Sequence, residues 1–245
     1  MRAPSLHDWP VSPELHRNVV ERLVADAGPI RRLWPVRARF ALWLALGIGV
    51  AVLALATVRR PDLGERLHEV AYLLDLAALL GAALVLALLA LRAAVPGREA
   101  HPGEVLAASV LLVGLPLLVL AHAAQSGPAA PALAGTGLRC AAHGTALALL
   151  PWGALLLALG RGVTTRAAVA GGQAGAAALL LGQCVLRATC PVDERIHLLT
   201  WHLAPTILGC AVSAWVGSAF LRRPNDLVRE RGGGAVPERG GGAAR

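Results

Sequence analysis

The chain has 245 residues, 56% of them hydrophobic but only 4% aromatic, and its mean hydropathy is +0.60. The apolar mass is Ala, Leu, Val and Gly in unbroken blocks, which excludes a soluble domain with a polar face on each element and points to membrane-spanning segments. The formal net charge is +8 and all 23 basic residues are Arg; these flank the apolar blocks rather than forming one patch, so a nucleic-acid-binding role is set aside.

The first element is VSPELHRNVVERLVADAG, which reads as a helix. Ser12 is a candidate N-cap, Pro13 takes the first helical position and Glu14 lies in the first turn. Gly28 followed by Pro29 supplies the stop. Leu15, Val19, Val20, Leu23 and Val24 recur at helical spacing and make one narrow apolar face. Arg17, Glu21, Arg22 and Asp26 populate the rest. Such a face either lies on the membrane surface or the bundle, or enters a groove on a cytoplasmic partner. Its mixed charge argues against the membrane surface, which prefers a purely basic face. In GPIRRLWPVRARFALWLAL, which follows, Pro29 and Pro35 stiffen the link. Arg31, Arg32, Arg37 and Arg39 fall where anionic lipid head groups are expected. Trp34 and Trp43 suit the membrane interface.

A span needs about 20 mostly apolar residues. Six blocks qualify: Phe40–Val58, Val70–Leu91, Val105–Ala124, Cys140–Leu159, Ala167–Leu186 and Trp201–Leu221. The first begins too far along the chain for a cleaved signal peptide. With the N-terminus inside, Arg59, Arg60, Arg66, Arg139, Arg187 and Arg195 fall outside and the other 17 of the 23 inside. That bias sets both ends in the cytoplasm of a bacterial cell, with the bundle in the inner membrane. Arg59 and Arg60 are a local exception. The expected fold is all-α and polytopic, with six transmembrane helices and a short cytoplasmic amphipathic helix. Residues 1–38 form the N-terminal segment and 39–223 the membrane domain. Residues 224–245, with RGGG and RGGGAAR, form a disordered cytoplasmic tail.

Four cysteines occur: Cys140, Cys184, Cys190 and Cys210. In this topology Cys140 opens the fourth span at its outer end and Cys190 lies in the outer loop between spans five and six. Both are on the oxidising side, where a disulfide is permitted. Cys184 lies near the outer end of span five, and Cys210 falls mid-span as a small packing residue. His122, His143, His197 and His202 gather on the same side, and Asp193 and Glu194 share the loop of Cys190. Cys and His on one face suit a soft divalent metal. Their spacing matches no compact metal motif, so they are read first as interface and packing groups, and no metal ligand is assigned.

Asp75 sits about one turn into the second span, where an ionisable group either has a partner or snorkels to the interface. Gln173 and Gln183 are candidates for interhelical hydrogen bonds, and Gly171, Gly175 and Gly182 give span five a small-residue face. Pro116 and Pro151 fall inside spans three and four, where kinks are expected. No catalytic motif is present, and neither an enzyme nor a cofactor is expected. Disulfide-forming enzymes carry a close Cys-x-x-Cys pair, and Cys184 and Cys190 are too far apart for that.

ERLVADAGPIRRLWPVRARFALWLAL resembles the start of NrsF-type membrane anti-sigma factors: a short cytoplasmic helix, a PV-R-R-L type segment, then the first of six spans. GRGVTTRAAVAGGQAGAAALLLGQCVLRATCPVDERIHLLTWH is similar to the family's Arg-led loop, its Ala/Gly-rich fifth span and its Cys-loop-Trp element. On this match Cys140 and Cys190 take the positions of the family's two Cys, and Trp201 that of its Trp. His202 replaces an aromatic residue often seen after it. Cys184 is an extra thiol, and PIRRLWPV differs from the usual segment. The resemblance covers most of residues 16–223. It implies that the cytoplasmic segment sequesters an extracytoplasmic-function sigma factor through Leu15, Val19, Val20, Leu23, Arg31 and Arg32. It also implies that Cys140 and Cys190 take part in sensing a stress signal. Two other readings stay open. A small transporter or channel would rest on Asp75, the outer histidines and the prolines. A membrane thiol-redox protein would use the outer Cys and His.

Overall fold

The computed structural model describes residues 13–25, 33–95, 97, 101, 103, 104, 106 and 134–221. Compactness divides the chain into Met1–Leu33 and Trp34–Arg245. In the first unit, α1 spans Pro13–Ala25 with Glu14 in its first turn. Val20 is exposed. The Ser12 cap, the Gly28–Pro29 stop, Arg31 and Arg32 lie outside the described residues, as do the side chains of Leu15, Val19 and Leu23.

In the second unit the order is α2 (Val36–Thr57), α3 (Leu63–Arg66), α4 (Val70–Ala93), α5 (Ala134–Gly160) and α6 (Ala167–Thr189). There follow α7 (Arg195–His197), a π-helical turn (Leu198–Leu203) and α8 (Ala204–Phe220). Among the described residues there is no strand, and five helices are long and apolar enough to cross a membrane: Val36–Thr57, Val70–Ala93, Gly135–Gly160, Ala167–Thr189 and Leu198–Phe220. They coincide with the first, second, fourth, fifth and sixth predicted spans. The third, Val105–Ala124, with Pro116 and His122, falls outside the described residues except for Leu106, and so does the tail 224–245.

The core is built on α6, which is buried along nearly its whole length and packs on α4, α5 and α8. Its small residues make this possible. A Cβ on Gly171 would stand 2.5 Å from the Ser213 carbonyl oxygen and 2.6 Å from Gly217 Cα. One on Gly182 would stand 2.8 Å from the Gly144 carbonyl oxygen. The helices therefore meet at backbone contact, the close packing that small residues allow inside a bilayer. Polar side chains stitch the same seams. Ser213 Oγ donates to the Gly171 carbonyl at 2.6 Å and accepts from Trp152 Nε1 at 2.6 Å. Gln183 Nε2 donates to the His202 carbonyl at 3.1 Å and to Thr206 Oγ1 at 3.0 Å.

The outer surfaces of α2 and α8 are different. Leu42, Ile48, Val52 and Leu53 on α2, and Ile207, Leu208, Trp215 and Phe220 on α8, are exposed. Apolar surface of this extent on a helix of spanning length calls for lipid chains around it.

Two residues expected at the lipid interface are instead inside. Arg39 is buried and donates through Nη1 to the Ala158 carbonyl at 3.3 Å and through Nη2 to the Leu91 carbonyl at 3.4 Å. Both carbonyls belong to last turns, of α5 and α4, which have no intrahelical donor and sit at the negative end of the helix dipole. One guanidinium thus caps two helices, an alternative to a head group that sequence position does not reveal. Trp43 is buried and donates from Nε1 to the Pro151 carbonyl at 3.1 Å. Trp34 is exposed.

Candidate functional site

Cys140 lies early in α5, and Cys190 immediately follows α6, its N–H bonded to the Leu186 carbonyl at 2.7 Å. Their Sγ atoms are 3.3 Å apart. Cys190 Sγ is also 3.6 Å from His197 Nε2. The His197 and His202 rings stand edge to face with centroids 5.2 Å apart. One donor atom from each of Cys140, Cys190, His197 and His202 lies within 4.8 Å of every other.

Sequence position brought out the two cysteines but not this pairing of histidines. At 3.6 residues per turn, positions five apart point about 140° away from each other. The π turn, bonded i to i+5, brings such residues to one side. Pro205 gives a local reason for it: proline has no N–H for the Trp201 carbonyl, and its ring crowds that group, so regular α winding is unfavourable in the preceding turn. That proline is the signal in the sequence that bears on the histidines. Trp201, inside the π turn, lays its indole where a Cβ on Gly137 would be, one turn before Cys140. Glycine at 137 is what lets the π turn sit against α5 at this point. Trp201 Nε1 and His202 Nε2 are buried and make no hydrogen bond. Cys184 stands outside the cluster, its Sγ 3.9 Å from the Leu76 carbonyl. Cys210 packs against the core.

Beside the cluster is a lattice of ion pairs. Arg60, only 1% exposed, donates to both oxygens of Asp62 at 2.7 and 2.9 Å and to both of Asp193 at 3.3 and 2.8 Å. Arg187 donates to Asp193 and reaches Asp75 Oδ2 at 3.5 Å. Arg66 pairs with Asp62, Glu69 and Asp193. The Arg60 and Arg187 guanidiniums lie 5.8 and 5.4 Å from the Tyr72 ring centroid, within cation–π range. The Tyr72 hydroxyl donates to the Arg187 carbonyl at 3.0 Å. The loop between Cys190 and His197 is thereby tied to α4 and to the α2–α3 connection. Asp75 is a buried, ion-paired residue rather than a snorkelling one.

The charges in this lattice stabilise one another. Burial works against ionisation of Asp193, but Arg60 and Arg187 override it and hold the carboxyl below the usual carboxylate range. Burial likewise opposes the Arg60 charge, and Asp62 and Asp193 overcome it. The Arg60 hydrogen bonds, with help from Arg66, hold Asp62 well below its ordinary value. Burial lowers His197, against the opposing pull of Glu194 and Asp193.

A family model described as "NrsF: Negative regulator of sigma F" matches residues 23–222. The matched stretch holds Cys140, Cys190, Trp201 and nearly all of the five helices long and apolar enough to cross a membrane. No curated protein and no solved structure matches the chain. The family is one of regulators, and its description implies a sigma factor as protein partner. By a match over most of its length, the chain belongs to the NrsF family, negative regulators of sigma F.

Proposed function

We propose that this protein is a membrane-anchored anti-sigma factor of the bacterial inner membrane, with both termini in the cytoplasm. Residues 1–38 sequester an extracytoplasmic-function sigma factor through the face of Leu15, Val19, Val20 and Leu23, flanked by Arg31 and Arg32. An envelope, redox or metal stress signal received at Cys140 and Cys190 on the outer side releases it. The observation that carries the signalling half is the 3.3 Å approach of the two Sγ atoms at one end of the bundle; the binding half rests on the family match and the apolar face of α1.

The orientation rests on the bias of arginines toward the inner segments. Arg60, Arg66 and Arg187 are three of the six arginines assigned to the outer side, and each is matched to carboxylates. Each of these cations is balanced by a carboxylate within the fold, so its burial is compensated whichever side it faces. The pairing of Asp75 with Arg187 also gives that residue a structural role, which removes one of the three supports of the transport reading.

The test is a pull-down of the host's extracytoplasmic-function sigma factors with the detergent-solubilised protein and with a peptide of residues 1–38. Retention of one sigma factor by both is expected. Failure of both to retain any would overturn the proposal.

A further inference from the structure

We propose that Cys140, Cys190, His197 and His202 form a four-ligand site for a soft divalent metal of the zinc class. As the input of a sensor this rests on the anti-sigma reading above; as a metal site it stands on geometry alone. Metal–sulfur bonds of 2.3 Å and metal–nitrogen bonds of 2.0–2.1 Å, arranged tetrahedrally, place ligand atoms roughly 3.3–3.8 Å from one another. Here the two Sγ atoms are 3.3 Å apart, Cys190 Sγ and His197 Nε2 are 3.6 Å apart, and the whole set lies within 4.8 Å. Small side-chain movements suffice to close the shell.

A second observation points the same way. His202 is 6% exposed and its Nε2 makes no hydrogen bond. A buried polar group without a partner costs free energy, and the π turn that brings His202 beside His197 is itself a departure from regular winding that concentrates at functional sites. A metal ion gives the orphaned nitrogen its partner. Two thiols and two imidazoles also fit the ion's charge: each thiol loses its proton on binding, two metal–sulfur bonds form, and two thiolates balance a dication without any change of oxidation state. Sulfur and imidazole nitrogen select zinc or cadmium over magnesium, calcium or manganese. The competing fate of the cysteines is a disulfide, whose bond is about 2.05 Å; it would leave the paired histidines without a role.

The full-length protein, reduced and in detergent, is titrated with Co2+ and then with Zn2+. A tetrahedral site gives the visible ligand-field bands of four-coordinate Co2+ together with a thiolate charge-transfer band, saturating at one equivalent and abolished by Zn2+. Cys140→Ser and Cys190→Ser each lose most of the charge-transfer intensity. His197→Ala and His202→Ala each lower the affinity by at least the roughly tenfold that loss of a group merely orienting a ligand costs, with the thiolate band kept. Cys184→Ser and Cys210→Ser change neither, and circular dichroism with size-exclusion chromatography checks that each variant is folded. The proposal is overturned if the folded, reduced protein gives no tetrahedral spectrum. It is also overturned if Cys184→Ser abolishes that spectrum while the histidine variants retain full affinity. It falls too if the isolated protein holds a Cys140–Cys190 disulfide and takes up no metal after reduction. The sigma-factor pull-down is read separately. Metal binding without sigma-factor binding fells only the anti-sigma reading, and the reverse fells only the metal site.

Discussion

Arg187 in α6 and Asp75 in α4 pair across the helix interface, Nη2 to Oδ2 at 3.5 Å, inside the bundle. Because the same guanidinium also holds Asp193, the two residues are not equivalent. Arg187→Met strips Asp75 of the cation that Arg187 supplies and should lower stability by about 3 kcal/mol. Asp75→Leu leaves Arg187 its bond to Asp193 and should cost less. The double variant should recover part of the Arg187→Met loss. Thermal unfolding in detergent reads all three, and additive losses in the double variant would show that the pair is not coupled.

The Gly171–Gly217 contact gives a sharper packing test. Gly171→Ala places a methyl group against the backbone of α8, which cannot yield as a side-chain tip would. The two helices must separate, at a cost of roughly 1–3 kcal/mol. Gly49→Ala in α2 meets nothing within 4 Å and should be neutral or raise stability by up to about 1 kcal/mol through helix propensity. Equal melting temperatures for the two variants would contradict the close approach.

The lowered pKa of Asp193 fixes the sign of a pH effect. A carboxyl depressed in the folded state contributes fully above its unfolded pKa of about 3.9 and loses that contribution as pH falls through its lower folded value. The difference in melting temperature between the natural protein and Asp193→Asn should therefore be constant from about pH 7 to pH 5 and shrink below about pH 4. A difference that vanishes near neutrality would place the loop's anchorage elsewhere.

For the N-terminal helix, Val19→Asp combined with Leu23→Asp puts two charges on the face read as the partner contact. Loss of two apolar anchors at an interface is worth roughly 2–4 kcal/mol, so sigma-factor affinity should fall at least thirtyfold in a titration with the purified protein. Glu21→Gln, off that face, should leave it within about twofold. Comparable losses for both would refute the assignment of the face.

The spans were legible because a bilayer demands long uninterrupted apolar runs, and α2, α4, α5, α6 and the run through α8 follow the hydropathy within a few residues. Lateral placement was not legible. Arg39 and Trp43 looked like interfacial anchors from their position, but their partners are carbonyls of α4 and α5 far away in sequence. Cys140 and Cys190 could be singled out by side and type. His197 and His202 were grouped with them by side, together with His122 and His143, but could not be singled out, since their relation depends on a local change of helical winding near Pro205. Asp75 was visible as an anomaly, and Arg187 could be named as its partner only once α4 lay beside α6.

The burial of α6 has one more consequence, for how freely this sequence can drift. Leu42, Val52, Leu208 and their neighbours on α2 and α8 are exposed, and a hydrocarbon solvent scarcely distinguishes one large aliphatic group from another. Ala174, Ala177 and Gly182 on α6 touch protein instead, so a single added methylene there is a collision. Mutational tolerance is thereby turned over at these two surfaces: large apolar residues on the exposed faces of α2 and α8 are replaceable, and small ones along α6 are not.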